Sequence, residues 1–181
     1  KVAQRYPQAA YVGLCHCLQA EWQYLCRVEP GVGAHLKPVE DALRDKFIPA
    51  LLGTKNTTPD ELRLLIAQGV KQGGLAIPNP SKSADCLHQT STEATDLLVQ
   101  SLLSHSPVDN EAHAGCVRAA SNAARKERIA AGNAVVASMG EARGPKVQKR
   151  LERMKETSAW LTAIPNRLSG TALSYQEWHD N

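Results

Sequence analysis

Apolar residues recur every three or four positions along much of the chain, which is the repeat of an α-helix. The recurring residues are Tyr11, Leu14, Leu18, Trp22 and Leu25 in one segment, Val39, Leu43, Phe47 and Leu51 in a second, and Val147, Leu151, Met154, Ser158 and Leu161 in a third. Aromatic residues occupy only 4% of the 181 positions, and most apolar positions are Ala or Leu, which favour helices. This pattern predicts an all-α fold, a bundle-like array of about five to seven helices, and excludes an all-β sandwich or barrel.

Glycine, proline and capping residues mark the predicted helix boundaries. Helices are expected to end at Pro30-Gly31-Val32-Gly33, at Ser106-Pro107 and at Gly144-Pro145, with a Gly/Pro-rich connector near residues 69–80 and an interruption near 89–91. Capping residues are expected at Thr58, with Glu61 three positions on, at Asp109, and at Ser174, with Glu177 three positions on. Pro49 lacks a backbone N–H, so a kink or an early stop is predicted near it.

The formal net charge of +3 hides an uneven distribution of charge. Residues 116–155 contain ten Lys or Arg against three acids, whereas the rest of the chain has eleven against fifteen. The predicted nucleic-acid-binding residues are Arg118, Arg125, Lys126 and Arg128 on the Ala-rich helix, and Lys146, Lys149, Arg150 and Arg153 on the next. If these helices form an antiparallel hairpin around residues 140–145, their cations share one surface that would attract a phosphate backbone. The alternative is a helix face that is merely solvated.

Five cysteines, an odd number thinly spread, are typical of a reducing compartment, so an intracellular protein, cytoplasmic or nuclear, is expected. The uncharged stretch at residues 6–20 is too short and too polar to span a bilayer, so no membrane association is predicted. Because the chain opens at Lys1 and leads directly into an amphipathic pattern, it is interpreted as a piece of a longer protein.

Four local patterns contain residue types that carry chemistry in other proteins, but none predicts a catalytic, metal or cofactor site. Cys15 and Cys17, on either side of His16, would point about 200° apart on a helix and could not hold one ion. Gly73-Gly74 lacks the surrounding residues of a phosphate-binding loop and is interpreted as a turn lying close against a helix. The acidic pairs Glu40-Asp41 and Asp60-Glu61 stand at predicted helix starts, where carboxylates favour the helix dipole.

Five segments also occur in a distinctive order. They are Tyr6-Pro7-Gln8-Ala9-Ala10-Tyr11; Trp22-Gln23-Tyr24-Leu25 with Arg27-Val28-Glu29-Pro30; Pro38-Val39-Glu40-Asp41-Ala42-Leu43-Arg44 with Phe47-Ile48-Pro49-Ala50-Leu51; Gly73-Gly74-Leu75-Ala76-Ile77-Pro78-Asn79-Pro80; and Ser158-Ala159-Trp160-Leu161-Thr162 with Gly170-Thr171-Ala172-Leu173-Ser174. In order and spacing, these segments resemble the region downstream of the reverse transcriptase domain in polyproteins of certain eukaryotic retroelements.

The resemblance implies a thumb-like region, residues 1–106, followed by a basic helical hairpin and C-terminal tail, residues 107–181. The parent polyprotein would be an RNA-directed DNA polymerase whose catalytic aspartates lie upstream, since this chain has no Tyr-x-Asp-Asp motif. The implied function is non-catalytic: the segment would hold template and primer, as RNA or an RNA/DNA hybrid, and its early helices, residues 7–52, would pack against the upstream polymerase domain. The alternative is a protein–protein interaction scaffold within the polyprotein that makes no direct contact with nucleic acid.

Overall fold

The fold is all-α, as the apolar repeat predicts. The computed structural model of the chain describes residues 1–158, 160–161 and 163–180; helix, with short 3-10 turns between the α-helices included, accounts for 76% of the chain, and none of the described residues lies in a β-strand. The helices are α1 (Val2–Arg5), α2 (residues 7–28), α3 (residues 37–51), α4 (Asp60–Ile66), α5 (Pro80–Leu103), α6 (Asn110–Arg143), α7 (Pro145–Thr157) and α8 (Tyr175–Asp180). Eight helices in the described part slightly exceed the predicted five to seven, and α1, with only four residues, is too short to show a repeat.

Helices α2 and α3 each contain one π-helical turn, Leu14–Leu18 and Leu43–Phe47 respectively. A π-helical turn takes about one extra residue and rotates the rest of the helix. In α2 the positions facing the core therefore move from Leu18 and Leu25, which are 57% and 47% exposed, to Gln19 and Cys26, which are buried. The apolar spacing of α2 therefore does not mark its buried side beyond the π-helical turn.

The capping predictions had different outcomes. Asp109 accepts hydrogen bonds from the N–H groups of Glu111 and Ala112, and Ser174 and Glu177 form a reciprocal capping box, as predicted. Thr58, by contrast, does not cap α4: it is buried, and its carbonyl oxygen accepts a hydrogen bond from Arg44. Helix α5 is continuous through residues 89–91, so no interruption occurs there.

The main core joins the N-terminal helices to the C-terminal tail. Its buried residues are Tyr11, Leu14, Leu43, Ile48, Leu51, Ile66, Ile77, Leu161 and Trp178. The indole N–H of Trp178 donates to the carbonyl oxygen of Leu51 over 3.1 Å, which fixes α8 against the end of α3. Among the described residues, no helix has both the length and the apolar character needed to cross a bilayer.

Helices α6 and α7 form an antiparallel hairpin at Gly144, which adopts the left-handed φ of 83°. Val136 of α6 packs on Leu151 of α7, and Leu65 of α4 completes this small cluster. The first part of α6 instead lies along α5, where Ala120 is buried. Helix α6 therefore connects two layers of the molecule, and α7 covers only its C-terminal end.

Candidate nucleic-acid interface

Four of the eight predicted cations form one exposed face of α7. Lys146, Lys149, Arg150 and Arg153 follow the spacing i, i+3, i+4, i+7, which places them on a single side of a helix. All four are exposed, while Leu151 on the other side is buried against α6. This set, called the α7 stripe below, is a convex row of positive charge.

The four predicted cations of α6 do not all lie together. Arg125 and Arg128 line a cavity of about 360 Å³ that also contains Lys71. Arg118 lies two turns nearer the start of the helix, on the same side as Arg125. Lys126 lies about 160° around the helix from Arg128 and belongs to a different side.

The hairpin that the sequence predicts is present, but it gives two separate cationic areas. The α7 stripe lies on the face of α7 that points away from α6. Arg153 lies level with a position on α6 that is about 10 Å closer to the hairpin turn than Arg128 is. Among the residues lining the cavity at Arg125 and Arg128, none belongs to α7.

The eight predicted cations carry charge that no neighbouring acid neutralises. Within the described residues, none of their side chains lies within 4 Å of a carboxylate oxygen. Four other cations have acidic partners in the pairs Lys37–Asp41, Arg44–Asp60, Arg63–Glu40 and Arg143–Glu61. The eight predicted cations are therefore exposed and without an ion-pair partner in the described structure, and such surface cations create a positive potential that attracts polyanions.

Two further cations lie at this candidate interface and are not among those predicted from the sequence. Lys71 lies beside Arg125 and Arg128 in the same cavity, and Arg27 shares a neighbouring cavity of about 650 Å³ with Arg128. Both are isolated in the sequence, far from the basic stretch at residues 116–155. No local pattern identifies them, because only the packing of α2, α6 and the segment between α4 and α5 brings them together.

The segment between α4 and α5 forms one wall of these cavities and is held by side-chain hydrogen bonds. Its four successive carbonyl oxygens, at residues 75–78, accept from Tyr11 at 2.9 Å, Gln19 at 3.1 Å, and Arg63 at 2.7 and 3.2 Å, in that order. Pro78 lines both cavities. The wall is therefore fixed in position by α2 and α4.

The close-turn interpretation of Gly73-Gly74 is confirmed. Gly73 has a φ of 83°, and a Cβ added at Gly74 would overlap the carbonyl oxygens of Leu65 and Gln68 at the end of α4. The amide of Leu75 donates to the carbonyl of Ile66 over 3.1 Å, which keeps the chain against that helix. The glycines allow this approach because they have no side chain.

Cys15 and Cys17 differ in exposure. The Cys15 thiol is half-buried beside the carbonyl of Leu75, at 3.9 Å, whereas Cys17 is exposed. Among the described residues, no three or more His, Cys, Asp and Glu side chains are grouped so that they could hold a metal ion.

The two thiols should therefore differ sharply in reactivity. Burial raises the pKa of Cys15 to about 11, so at pH 8 only about 0.1% is the reactive thiolate. We expect iodoacetamide at pH 8 to modify Cys17 much faster than Cys15, as followed by peptide mass mapping. In urea, where the chain is unfolded, the rates should become similar; equal rates in the folded protein would contradict the buried placement of Cys15.

Comparison with known proteins finds no relative: no protein-family model, no curated protein and no solved structure matches the chain significantly.

Proposed function

We propose that this chain is a non-catalytic, nucleic-acid-binding segment of a retroelement polyprotein, and that it holds an RNA/DNA hybrid or template RNA through backbone contacts. The observation that carries the proposal is the set of eight exposed cations without acidic partners, four of which share the α7 stripe. A convex row of Lys and Arg fits the phosphates of a duplex and contacts few base edges. Binding would therefore depend little on sequence.

The polymerase chemistry of the proposed parent would lie in another part of the polyprotein, in the cytoplasm or nucleus. In this proposal residues 1–106 form the thumb-like region and residues 107–181 the basic hairpin and tail, with the Gly/Pro-rich segment near 69–80 as a connector. The early helices, residues 7–52, would dock on the upstream polymerase domain. An exposed apolar side of α2, formed by Leu18, Tyr24, Leu25 and Val28, supports a docking role.

Titration with a labelled RNA/DNA hybrid tests the proposal. For the unmodified chain we expect affinity to fall steeply between about 50 and 200 mM salt. Reversing Lys149, Arg150 and Arg153 to Glu should weaken binding by roughly tenfold or more and lower the salt slope by about one unit for each lost phosphate contact. Fluorescence anisotropy at the two salt concentrations gives both values.

A matched control separates the stripe from net charge. Lys46, Lys55 and Arg167 are exposed, lie outside the α7 stripe and both cavities, and form no ion pair among the described residues. Reversing these three to Glu changes the net charge equally and should leave most of the affinity. Equal losses in both triple variants, or no salt-sensitive binding by the unmodified chain, would refute the backbone-binding proposal.

The second candidate function is an interaction scaffold, which the exposed apolar residues favour. Besides the side of α2, the end of α5 exposes Val99, Leu102 and Leu103. A scaffold would show no change in nucleic-acid behaviour when the α7 stripe is reversed. Replacing Leu18 and Leu25 by Ser should weaken association with the upstream domain under both functions, as measured by co-purification of the two parts, so the response to reversing the α7 stripe is the result that separates them.

A further inference from the structure

The two cavities beside α6 adjoin each other and are described together as one groove. One has a volume of about 360 Å³ and the other about 650 Å³, and they share Gln23, Pro78 and Arg128 as lining residues. The groove runs between α2 and α6, with the fixed segment 75–78 on one side and α5 on the other. It is called the interhelical groove below.

The interhelical groove is cationic. Arg27, Lys71, Arg125 and Arg128 line it, and among its described lining residues the one acid is Glu127. None of the four cations has a carboxylate within 4 Å in the described structure. All four cations are exposed, and unpaired positive charges that line a concave surface raise the local positive potential and favour an anionic occupant.

Neutral polar groups complete the groove. Gln23 donates through Nε2 to the side-chain oxygen of Gln19 over 3.3 Å, which leaves its own amide oxygen available as an acceptor. Gln72, Ser91 and Ser121 add further amide and hydroxyl groups. No aromatic side chain is among the described residues that line the groove, so base stacking has no platform there.

We infer that the interhelical groove binds single-stranded RNA, with its phosphates at Arg27, Lys71, Arg125 and Arg128 and its ribose hydroxyls near Gln23. This inference rests on the proposed nucleic-acid function and assigns it a second subsite. A flexible single strand can follow a concave channel of this volume, whereas a duplex is stiff and would reach only its rim. The 2′-hydroxyl is the group through which amide and hydroxyl side chains distinguish RNA from DNA.

The test compares two probes and three variants of the full chain. The probes are labelled oligouridine and a labelled RNA/DNA hybrid, and binding is followed by anisotropy at about 50 and 200 mM salt. The groove variant is Arg27→Glu with Lys71→Glu, two residues outside the basic stretch. The stripe variant is Lys149→Glu with Arg153→Glu, and the control is Lys46→Glu with Lys55→Glu, so all three change the net charge equally.

We expect the groove variant to weaken oligouridine binding by roughly tenfold while its hybrid affinity stays close to that of the control. The stripe variant should instead weaken binding of the hybrid, while its oligouridine affinity stays close to that of the control. Oligouridine should also bind more tightly than oligodeoxyuridine of equal length. Circular dichroism at 222 nm on each variant checks that the protein is folded, so that a loss of affinity is not caused by unfolding.

Failure of this inference can be distinguished from failure of the proposed function. If the hybrid binds with salt dependence but the groove variant binds oligouridine as the control does, the groove assignment is overturned and the α7 stripe stands. If neither probe binds the unmodified chain, the proposed function itself is overturned. Displacement of oligouridine by poly-glutamate at equal charge would also overturn the assignment, because the groove would then accept polyanions in general.

Discussion

Replacing Glu40 by Ala is expected to lower the free energy of unfolding by about 3–5 kcal/mol. Glu40 and Arg63 form a bidentate pair, with Nε–Oε1 and Nη2–Oε2 distances of 2.7 and 2.6 Å. Their side chains are only 10% and 5% exposed. Removing the carboxylate would leave a guanidinium charge buried without its partner, which costs far more than the pair itself contributes.

The neighbouring residue provides the control. Asp41 also pairs with a cation, Lys37, but that pair is exposed, with side-chain exposures of 49% and 73%. Asp41→Ala should therefore change stability by less than about 1 kcal/mol. Urea unfolding followed by circular dichroism measures both variants, and similar destabilisation by the two would contradict the burial of the Glu40–Arg63 pair.

The same substitution should also affect the interhelical groove. Besides Glu40, Arg63 donates to the carbonyl oxygens of Ile77 and Pro78, and Pro78 lines the groove. Without Glu40, the guanidinium loses the partner that orients it, and the segment it holds becomes looser. Under conditions where Glu40→Ala remains folded, we expect weaker oligouridine binding than for Asp41→Ala.

The acidic pair Glu40-Asp41 shows where sequence reasoning ends. The sequence predicts α3 and its approximate ends, because apolar periodicity depends only on neighbours along the chain. It cannot show that Glu40 faces inward and Asp41 outward, since that depends on Arg63 from another helix. Similarly, the π-helical turn in α2 shifts its buried side by one residue, and the apolar spacing indicates the unshifted side.

The candidate interface also has one part that the sequence predicts and one part that it does not. The α7 stripe could be predicted because its four cations lie within eight consecutive residues and their spacing alone places them on one side of a helix. The interhelical groove could not, because Arg27, Lys71 and Arg128 are brought together from three elements by packing. Reasoning from local pattern therefore found the convex area and missed the concave one.

The second large effect is expected at Gly74. A Cβ there would overlap two backbone carbonyl oxygens, those of Leu65 and Gln68. Backbone atoms cannot move aside as the end of a flexible side chain can, so Gly74→Ala should destabilise the protein by about 3 kcal/mol, the upper part of the range for overpacking. The measurement is the midpoint of urea unfolding.

Gly115 is the matched control for Gly74. It lies within α6, and a Cβ added there would meet nothing within 4 Å. Gly115→Ala should therefore stabilise the protein by about 0.5–1 kcal/mol, since alanine has a higher helix propensity than glycine. Opposite signs for the two substitutions would show that Gly74 is needed for close approach rather than for chain flexibility. The close approach of Gly74 also holds the segment at residues 75–78 against α4. Gly74→Ala should therefore weaken oligouridine binding and leave hybrid binding unchanged. That result would show that the turn supports the interhelical groove but not the α7 stripe.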